Sequence, residues 1–306
     1  MLKSIHKALF SSITLNNIIE YTVECNPENV TNELIKTIAS IGCNRISLGI
    51  QSFDPKVLKI CNRNQSLDNA YNALELFNKE RFNISIDLIN GLPLSNPLEE
   101  TENLNKAIDK YKNINHISLY ELSIDKPSKF YENKKLKLPK ESNKEKYEKY
   151  SDKIMKKYNF KKYEISNYAK KGFESRHNLN YWEYKNYVGL GPSAHSTVDK
   201  LRLENKPDID MYINGNDYKK VYTLSKKEQM EEYLLMGLRL TAGLNLEDFN
   251  ARFCVSFKNL FGNTLDKYKE YFIINSNNIR LDNRGLDILN KILIDLFCDV
   301  ESNIYS

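Results

Sequence analysis

Residues 175 to 196 read SRHNLNYWEYKNYVGLGPSAHS and hold two of the chain's four histidines, its single tryptophan and two of its eleven glycines. A neutral imidazole nitrogen can bind a metal or carry a hydrogen bond, a phenol can do either, and indole and phenol rings can stack on a flat ligand. If 177 to 181 is helical, His177 and Tyr181 share a face, with Cβ atoms about 5 to 6 Å apart. At that spacing they cannot take opposite axial positions on one metal. Either one binds while the other supports it, or a residue elsewhere, or in a second subunit, completes the set. His195 is the stretch's other histidine, and Trp182, Tyr184 and Tyr187 are its stacking candidates, although aromatics at this density also suit a core. An isolated histidine reads as a hydrogen-bonded structural side chain, so the stretch needs context.

That context starts with the elements upstream. From residue 20 a short β-rich run, a turn and an amphipathic helix recur, the pattern of a parallel α/β sheet. EYTVEC (20 to 25) reads as a strand, and Leu34, Ile35, Ile38 and Ile41 fall on one face of a helix that stops at Gly42. NRISLGI is the next strand. Ser66 then caps a helix carrying Ala70, Ala73, Leu74 and Phe77, NISIDLI (83 to 89) follows, and a charged helix from about 98 to 112 leads into HISLYEL (116 to 122). The strands end in polar residues: Glu24 and Asn26, Gln51 and Ser52, Asp87 and Asn90, Tyr120 and Glu121. In parallel α/β folds the ligand site lies at those ends, and four strands ending alike point to one.

Beyond 123 the repetition stops, and from 225 onward the chain reads as helices with a β excursion near 271 to 281. The expected division is 1–123 for the α/β units, 124–222 for an extension carrying the His-rich stretch, and 223–306 for a small, mostly helical domain. At 306 residues, 41% hydrophobic and 28% charged, the chain can bury a large core without disulfides or metals. No apolar run approaches the roughly 20 residues of a membrane span. Leu2, Ile5, Ala8, Leu9 and Ile13 are spaced as a helix rather than as a signal peptide. Five cysteines without a CxxC group suit a reducing compartment, so the expected location is cytoplasmic. The net charge of +5 is spread along the chain, and in the lysine-rich run 134 to 162 Glu141, Glu145 and Glu148 interleave as on a solvated helix face. No nucleic-acid partner is expected.

In order along the chain, ECNP, NRISLGIQSF, DLINGLP, HISLYEL, YEISNYA, RHNLNYW and GLGPSAHS resemble motifs of the radical S-adenosylmethionine proteins of the oxygen-independent coproporphyrinogen dehydrogenase class. The resemblance covers nearly the whole chain. It implies an α/β fold: a partial (β/α)6 barrel, here lacking its first strands, with S-adenosylmethionine across the C-terminal strand ends beside a 4Fe-4S cluster. It implies that Glu24 meets the methionyl part or ribose of that cofactor and that Gln51 is a second polar contact. Arg63 would face its carboxylate, and Asp87 its ribose hydroxyls. HNLNY, 177 to 181, resembles the HNxxY motif of the haem-chaperone branch of this class. That implies His177 as the haem-iron ligand, Tyr181 as a phenolate ligand or hydrogen-bonding partner, and His195 as a second ligand. A haem-accepting protein is then the expected partner, membrane-associated acceptors and a homodimer included.

The class also carries CxxxCxxC, which holds the cluster, and a GGGTP turn, and neither is in this sequence. Cys25, Cys43 and Cys61 stand eighteen apart and read as buried small hydrophobes. The expectation is that Met1 is an internal start, from a gene-model error or a decayed gene, with CxxxCxxC encoded within about a hundred codons upstream. The strand at 20 to 25 is then the edge of its sheet. Three functions remain: a haem chaperone, a coproporphyrinogen dehydrogenase of porphyrin biosynthesis, and an inactive remnant that only binds a partner.

Overall fold

The computed structural model describes residues 1–11, 18–63, 65–80, 82–124, 126, 129–132, 137–215 and 218–304. The first helix, Leu2–Phe10, is among them, whereas Ile13 lies outside them. The chain forms two compact units, the first Met1–Lys162 with Ser166–Ser175, the second Tyr163–Ile165 with Arg176–Ser306. The stretch 124–222 contributes to both.

The first unit is built on a six-stranded sheet of β1 (Thr22–Cys25), β2 (Arg45–Gln51), β3 (Asn83–Asn90), β4 (Ile114–Glu121), β5 (Lys161–Lys162) and β6 (Asn167–Ala169), in the order β1-β2-β3-β4-β6-β5. The first four are parallel, while β6 runs antiparallel to β4 and to β5. Side chains alternate between the two faces of a strand. Ile46, Leu48, Ile50, Ile84, Ile86, Leu88 and Ile117 form the apolar face. Against it pack Ile35 and Ile38 of the helix Asn32–Ser40 and Ala70, Ala73, Leu74 and Phe77 of Leu67–Lys79. Leu104, Ala107 and Ile108 of Pro97–Lys110 complete the layer. The reciprocal bonds of Ser66 and Asn69 close a capping box at the start of Leu67–Lys79, worth about 1 kcal/mol.

The other face carries Arg45, Ser47, Gly49 and Gln51 of β2, Asn83, Ser85 and Asp87 of β3, and His116 and Ser118 of β4. Burying polar groups costs free energy unless they are bonded, and here Ser47 bonds Asp87 and Ser85 bonds His116 across neighbouring strands. Among the described residues β1 pairs only with β2, as the edge of the sheet. The lysine-rich run forms the helix Glu141–Lys157, which turns Tyr147, Ser151 and Met155 inward, while Lys144 pairs with Glu121 at 2.7 Å and Glu141 at 3.1 Å.

The second unit holds two antiparallel three-stranded sheets. One is β7 (His195–Val198), β8 (Leu201–Asn205) and β9 (Tyr218–Thr223); the other places β12 (Asn278–Leu281) between β10 (Leu244–Asn245) and β11 (Phe272–Ile274). Helices Lys226–Gly237, Leu246–Phe253 and Leu289–Ile304 surround a core in which the rings of Tyr233, Phe249, Phe253, Phe257 and Phe261 meet edge to face or tilted. No helix among the described residues is long and apolar enough to cross a membrane.

Candidate functional site

The C-terminal ends of β1 and β2 gather polar groups over a glycine. A Cβ on Gly49 would lie 2.9 Å from Gln51 Nε2, the movable end of its side chain, and 3.5 Å from Asn26 Oδ1, so both side chains lie close over this glycine. Arg63 donates to that same Asn26 Oδ1 at 3.4 Å. Gln51 sits in the left-handed region, at φ 65°, where β2 leaves its register with β3. Such a conformation in a non-glycine residue persists only where its surroundings fix it. Here Gln65 Nε2 donates to the preceding Ile50 carbonyl, while Ser52 Oγ and Phe53 N–H (3.0 Å) donate to the Glu100 carboxylate. Glu100 is only 3% exposed, and burial raises its carboxyl pKa to about 7, against the bonds from Ser52 and Phe53. Glu24 lies exposed on β1, its Cα opposite Ser47.

Asp87 sits one strand further in. Its Oδ2 accepts from Ser47 Oγ at 2.8 Å, and Ser118 donates to the same carboxylate. Burial raises its pKa; the bonds from Ser118 and Ser47 and the charge of Arg45 pull the other way. Oδ1 is buried without a hydrogen-bond partner in the described structure. An unpaired carboxylate oxygen is a strong acceptor held ready for a hydroxyl or amide donor. Deeper on this face Ser85 Oγ lies 2.7 Å from His116 Nδ1, and burial holds the His116 pKa well below its usual value.

Thus Gln51 and Asn26 converge over Gly49 with Arg63 bonded to Asn26, and Asp87 has an unpaired acceptor on the same face of the sheet. These groups fit a ligand with a ribose diol and a carboxylate, such as S-adenosylmethionine, for which Glu24, Gln51, Arg63 and Asp87 are the candidate contacts. A 4Fe-4S cluster does not fit the described residues. Such a cluster is held by thiolates, and no group of three His, Cys, Asp or Glu among the described residues could hold a metal. Burial above all raises the thiol pKa of Cys25, Cys43 and Cys61 to about 11, as for small side chains held away from water.

The second unit holds the HNxxY residues. Arg176–Trp182 is helical, and Tyr181 Oη lies 2.9 Å from Nε2 of His177, whose side chain is exposed. The rings form an edge-to-face ladder: His177 to Tyr181 at 4.7 Å and 88°, Tyr181 to Tyr187 at 4.6 Å and 81°. Tyr187 is fixed in turn by backbone bonds of 2.9 and 3.0 Å with Thr197 of β7. His195 begins β7 opposite Glu204, exposed, and its ring makes no hydrogen bond or ring contact among the described residues; the structure does not join it to the ladder. Tyr184 is engaged elsewhere: its hydroxyl donates to Glu232 at 3.1 Å and accepts from Arg202 at 3.0 Å, and burial raises its pKa to about 12. The Arg239 guanidinium covers the Trp182 ring at 4.6 Å. Of the three stacking candidates, Tyr187 alone touches Tyr181.

Sequence reasoning missed Glu100, Ser47, Ser118, Arg45 and His116. A signal for part of this was present, since Arg45, Ser47, Gly49 and Gln51 alternate with isoleucine and leucine through a strand buried on both sides.

Comparison with known proteins agrees with this division. Residues 1–104 match the model of the radical SAM superfamily, and residues 224–288 that of the HemN C-terminal domain. The chain is 31% identical to the heme chaperone HemW of Lactococcus lactis, over 95% of this chain and 79% of that protein. It is 32% identical to the heme chaperone HemW of Bacillus subtilis, over 85% and 71%. The solved structure of coproporphyrinogen III oxidase (HemN) from Escherichia coli superposes with a TM-score of 0.80 at 16% identity, covering 96% of this chain and 73% of that one, which shows a common fold. From the level of identity with the HemW proteins and the share of them it covers, the chain belongs to the HemW family of heme chaperones, within the radical SAM superfamily.

Proposed function

We propose that this chain binds haem through His177 and passes it to an acceptor protein, working in the cytoplasm. The observation that carries the reading is the hydrogen-bonded pair of the exposed His177 and the half-buried Tyr181 on one helix, braced by Tyr187. An imidazole held in one orientation by a partner on its ring is the usual form of a metal-binding histidine. Exposure suits a carrier, which must release its cargo as readily as it takes it. The names of the relatives support the same reading. His195 is the candidate for a second ligand, from this chain or from a second copy in a homodimer, and membrane-associated proteins are among the acceptors to test.

S-adenosylmethionine belongs to the reading as a ligand of the strand ends, where it would supply a bulky polar group that orders the edge of the sheet. Asp87 would accept from its ribose hydroxyls, Arg63 would pair with its carboxylate, and Glu24 and Gln51 would complete the contacts. The dehydrogenase alternative is less well supported, since HNLNY, 177 to 181, resembles the motif of the haem-chaperone branch and the relatives named above are heme chaperones.

Haemin titration followed in the Soret region tests the proposal. Saturable binding with a Soret shift that His177→Ala abolishes is the expected result. Absence of saturable binding by the wild type overturns it and leaves the partner-binding remnant.

A further inference from the structure

The helix Arg176–Trp182, which carries His177 and Tyr181, has seven residues, too few to hold an orientation of its own, since isolated helices shorter than about 12–15 residues are marginal in water. Contacts outside it must therefore set the angle at which it presents the imidazole. Successive residues turn by about 100°, so Trp182 lies about 140° around the axis from His177, on a side turned away from it. There the guanidinium of Arg239 covers the indole, with Cζ 4.6 Å from the ring centroid. Trp182 Nε1 is buried without a hydrogen-bond partner in the described structure. A cavity of about 400 Å³ borders Trp182, with Tyr233, Leu240 and Leu244 also on its walls. Neither a hydrogen bond nor close packing all round fixes the indole, which leaves the cation on its face.

Arg239 is itself held from behind. Its Nη2 lies 3.6 Å from Oε2 of Glu164, whose side chain has no exposed surface. Glu164 stands opposite Leu240 in an antiparallel bridge, and Thr241 N–H and Oγ1 donate to the Tyr163 carbonyl at 3.0 and 3.2 Å. The backbone that carries the carboxylate is thus stitched to the backbone that carries the guanidinium. A buried ion pair adds little net stability, because desolvation of both charges offsets their attraction; what it does supply is a definite geometry. The series from Glu164 through Arg239 to Trp182 ends on the helix of His177 and Tyr181, and all of it lies within one compact unit.

Resting on the haem reading above, we infer that Arg239 is a positioning residue for haem binding: anchored by Glu164, it clamps Trp182 and so sets the angle at which the helix presents His177 to the iron. The ladder through Tyr181 and Tyr187 fixes the imidazole on its helix, and the clamp fixes that helix on the unit that carries it. Arg239 acts through Trp182 and not through contact with the ligand. A helix oriented before binding loses little entropy when the ligand arrives.

The test titrates haemin against the wild type, Arg239→Met, which keeps the stem and removes the charge, and Arg239→Lys, which keeps a cation. Trp182 is the chain's single tryptophan, so its fluorescence without haemin reports on the clamp directly. Arg239→Met is expected to shift that emission and to lower haemin affinity about two- to thirtyfold, the range of a cation–π contact. The Soret band of its bound haem should broaden as the imidazole takes more than one angle, and Arg239→Lys should recover part of each change. In a Trp182→Leu background, Arg239→Met should have no further effect on haemin, because the guanidinium then has no ring to hold. Melting temperatures check that each variant is folded; if Arg239→Met is not, Glu164→Gln, which loosens the guanidinium without removing it, carries the same comparison. Wild-type affinity and Soret band in the folded variant overturn the clamp alone. So does a loss that Arg239→Lys shares in full, or one that persists undiminished beside Trp182→Leu. Failure of the wild type to bind haemin overturns the haem reading and the clamp with it.

Discussion

The hydroxyl of Tyr181 lies 2.9 Å from Nε2 of His177, one helical turn away, so the two side chains are a hydrogen-bonded pair before any ligand arrives. The geometry assigns unequal parts to them. An axial ligand and its hydrogen-bonding partner cannot both face the iron, and the ring edge contact at 88° makes Tyr181 the partner that fixes the imidazole plane. Tyr181→Phe keeps the ring and its contact with Tyr187 while removing the hydroxyl. A hydrogen bond of this kind is worth about 0.5–1.5 kcal/mol, which is roughly twofold to tenfold in affinity. Haemin binding to Tyr181→Phe should weaken by that factor with the Soret position retained, unlike the loss in His177→Ala. Unchanged affinity would remove the orienting role.

Asp87 is predicted to separate affinity from stability. Its buried carboxylate is desolvated and one oxygen is unpaired, which disfavours the folded state, while that oxygen is the acceptor offered to a ribose. Asp87→Asn removes the charge and keeps the shape. Its melting temperature should equal or exceed that of the wild type. Its affinity for S-adenosylhomocysteine, measured by calorimetry, should fall about tenfold or more, since hydrogen bonds to charged groups are worth about 1.5–3 kcal/mol. Loss of stability together with unchanged affinity would make Asp87 a structural residue.

Glu100 ties the turn that holds Gln51 in the left-handed region, and the sequence hides it. In PLEETEN three glutamates look equivalent, and only the fold shows that Glu100 turns inward to Ser52 and Phe53, far away in the chain. What the sequence did reveal was local: the helix Leu67–Lys79 from its Ser66 cap and apolar spacing, the strand ends at Gln51 and Asp87, and the helical pair of His177 and Tyr181. The contact of Tyr187 with Tyr181 depends on an antiparallel bridge to Thr197, and the placement of His195 depends on which strand pairs with β7. Such non-local pairings leave no periodic trace.

The same carboxyl makes stability depend on pH in a definite direction. Its pKa rises from the usual 4.5 to about 7 on folding. Below pH 4.5 both folded and unfolded chains hold the proton and the contribution is constant; between 4.5 and about 7 only the folded chain holds it, so stability falls as pH rises. The loss is about 3 kcal/mol when complete. Glu100→Gln cannot titrate. Denaturant unfolding of both proteins from pH 5 to 8 should show the wild type losing stability relative to Glu100→Gln across this window. A difference that stays flat with pH would show that Glu100 is ionised throughout.

Gly189→Ala probes the backbone that runs from Tyr187 along β7. The added Cβ would meet the His195 carbonyl oxygen at 2.2 Å, and that atom belongs to the backbone of β7, so the loop rather than a side chain must move. Overpacking of this kind costs about 1–3 kcal/mol. Moving the loop also lengthens the bond from Gly189 N–H to Ser196 Oγ and shifts Val188 and Leu190 together, while Tyr187, fixed by Thr197, keeps its place against Tyr181. Melting temperature should therefore fall modestly, with the His177-dependent Soret position of bound haemin unchanged. If instead the Soret position changes, the loop governs the orientation of the imidazole.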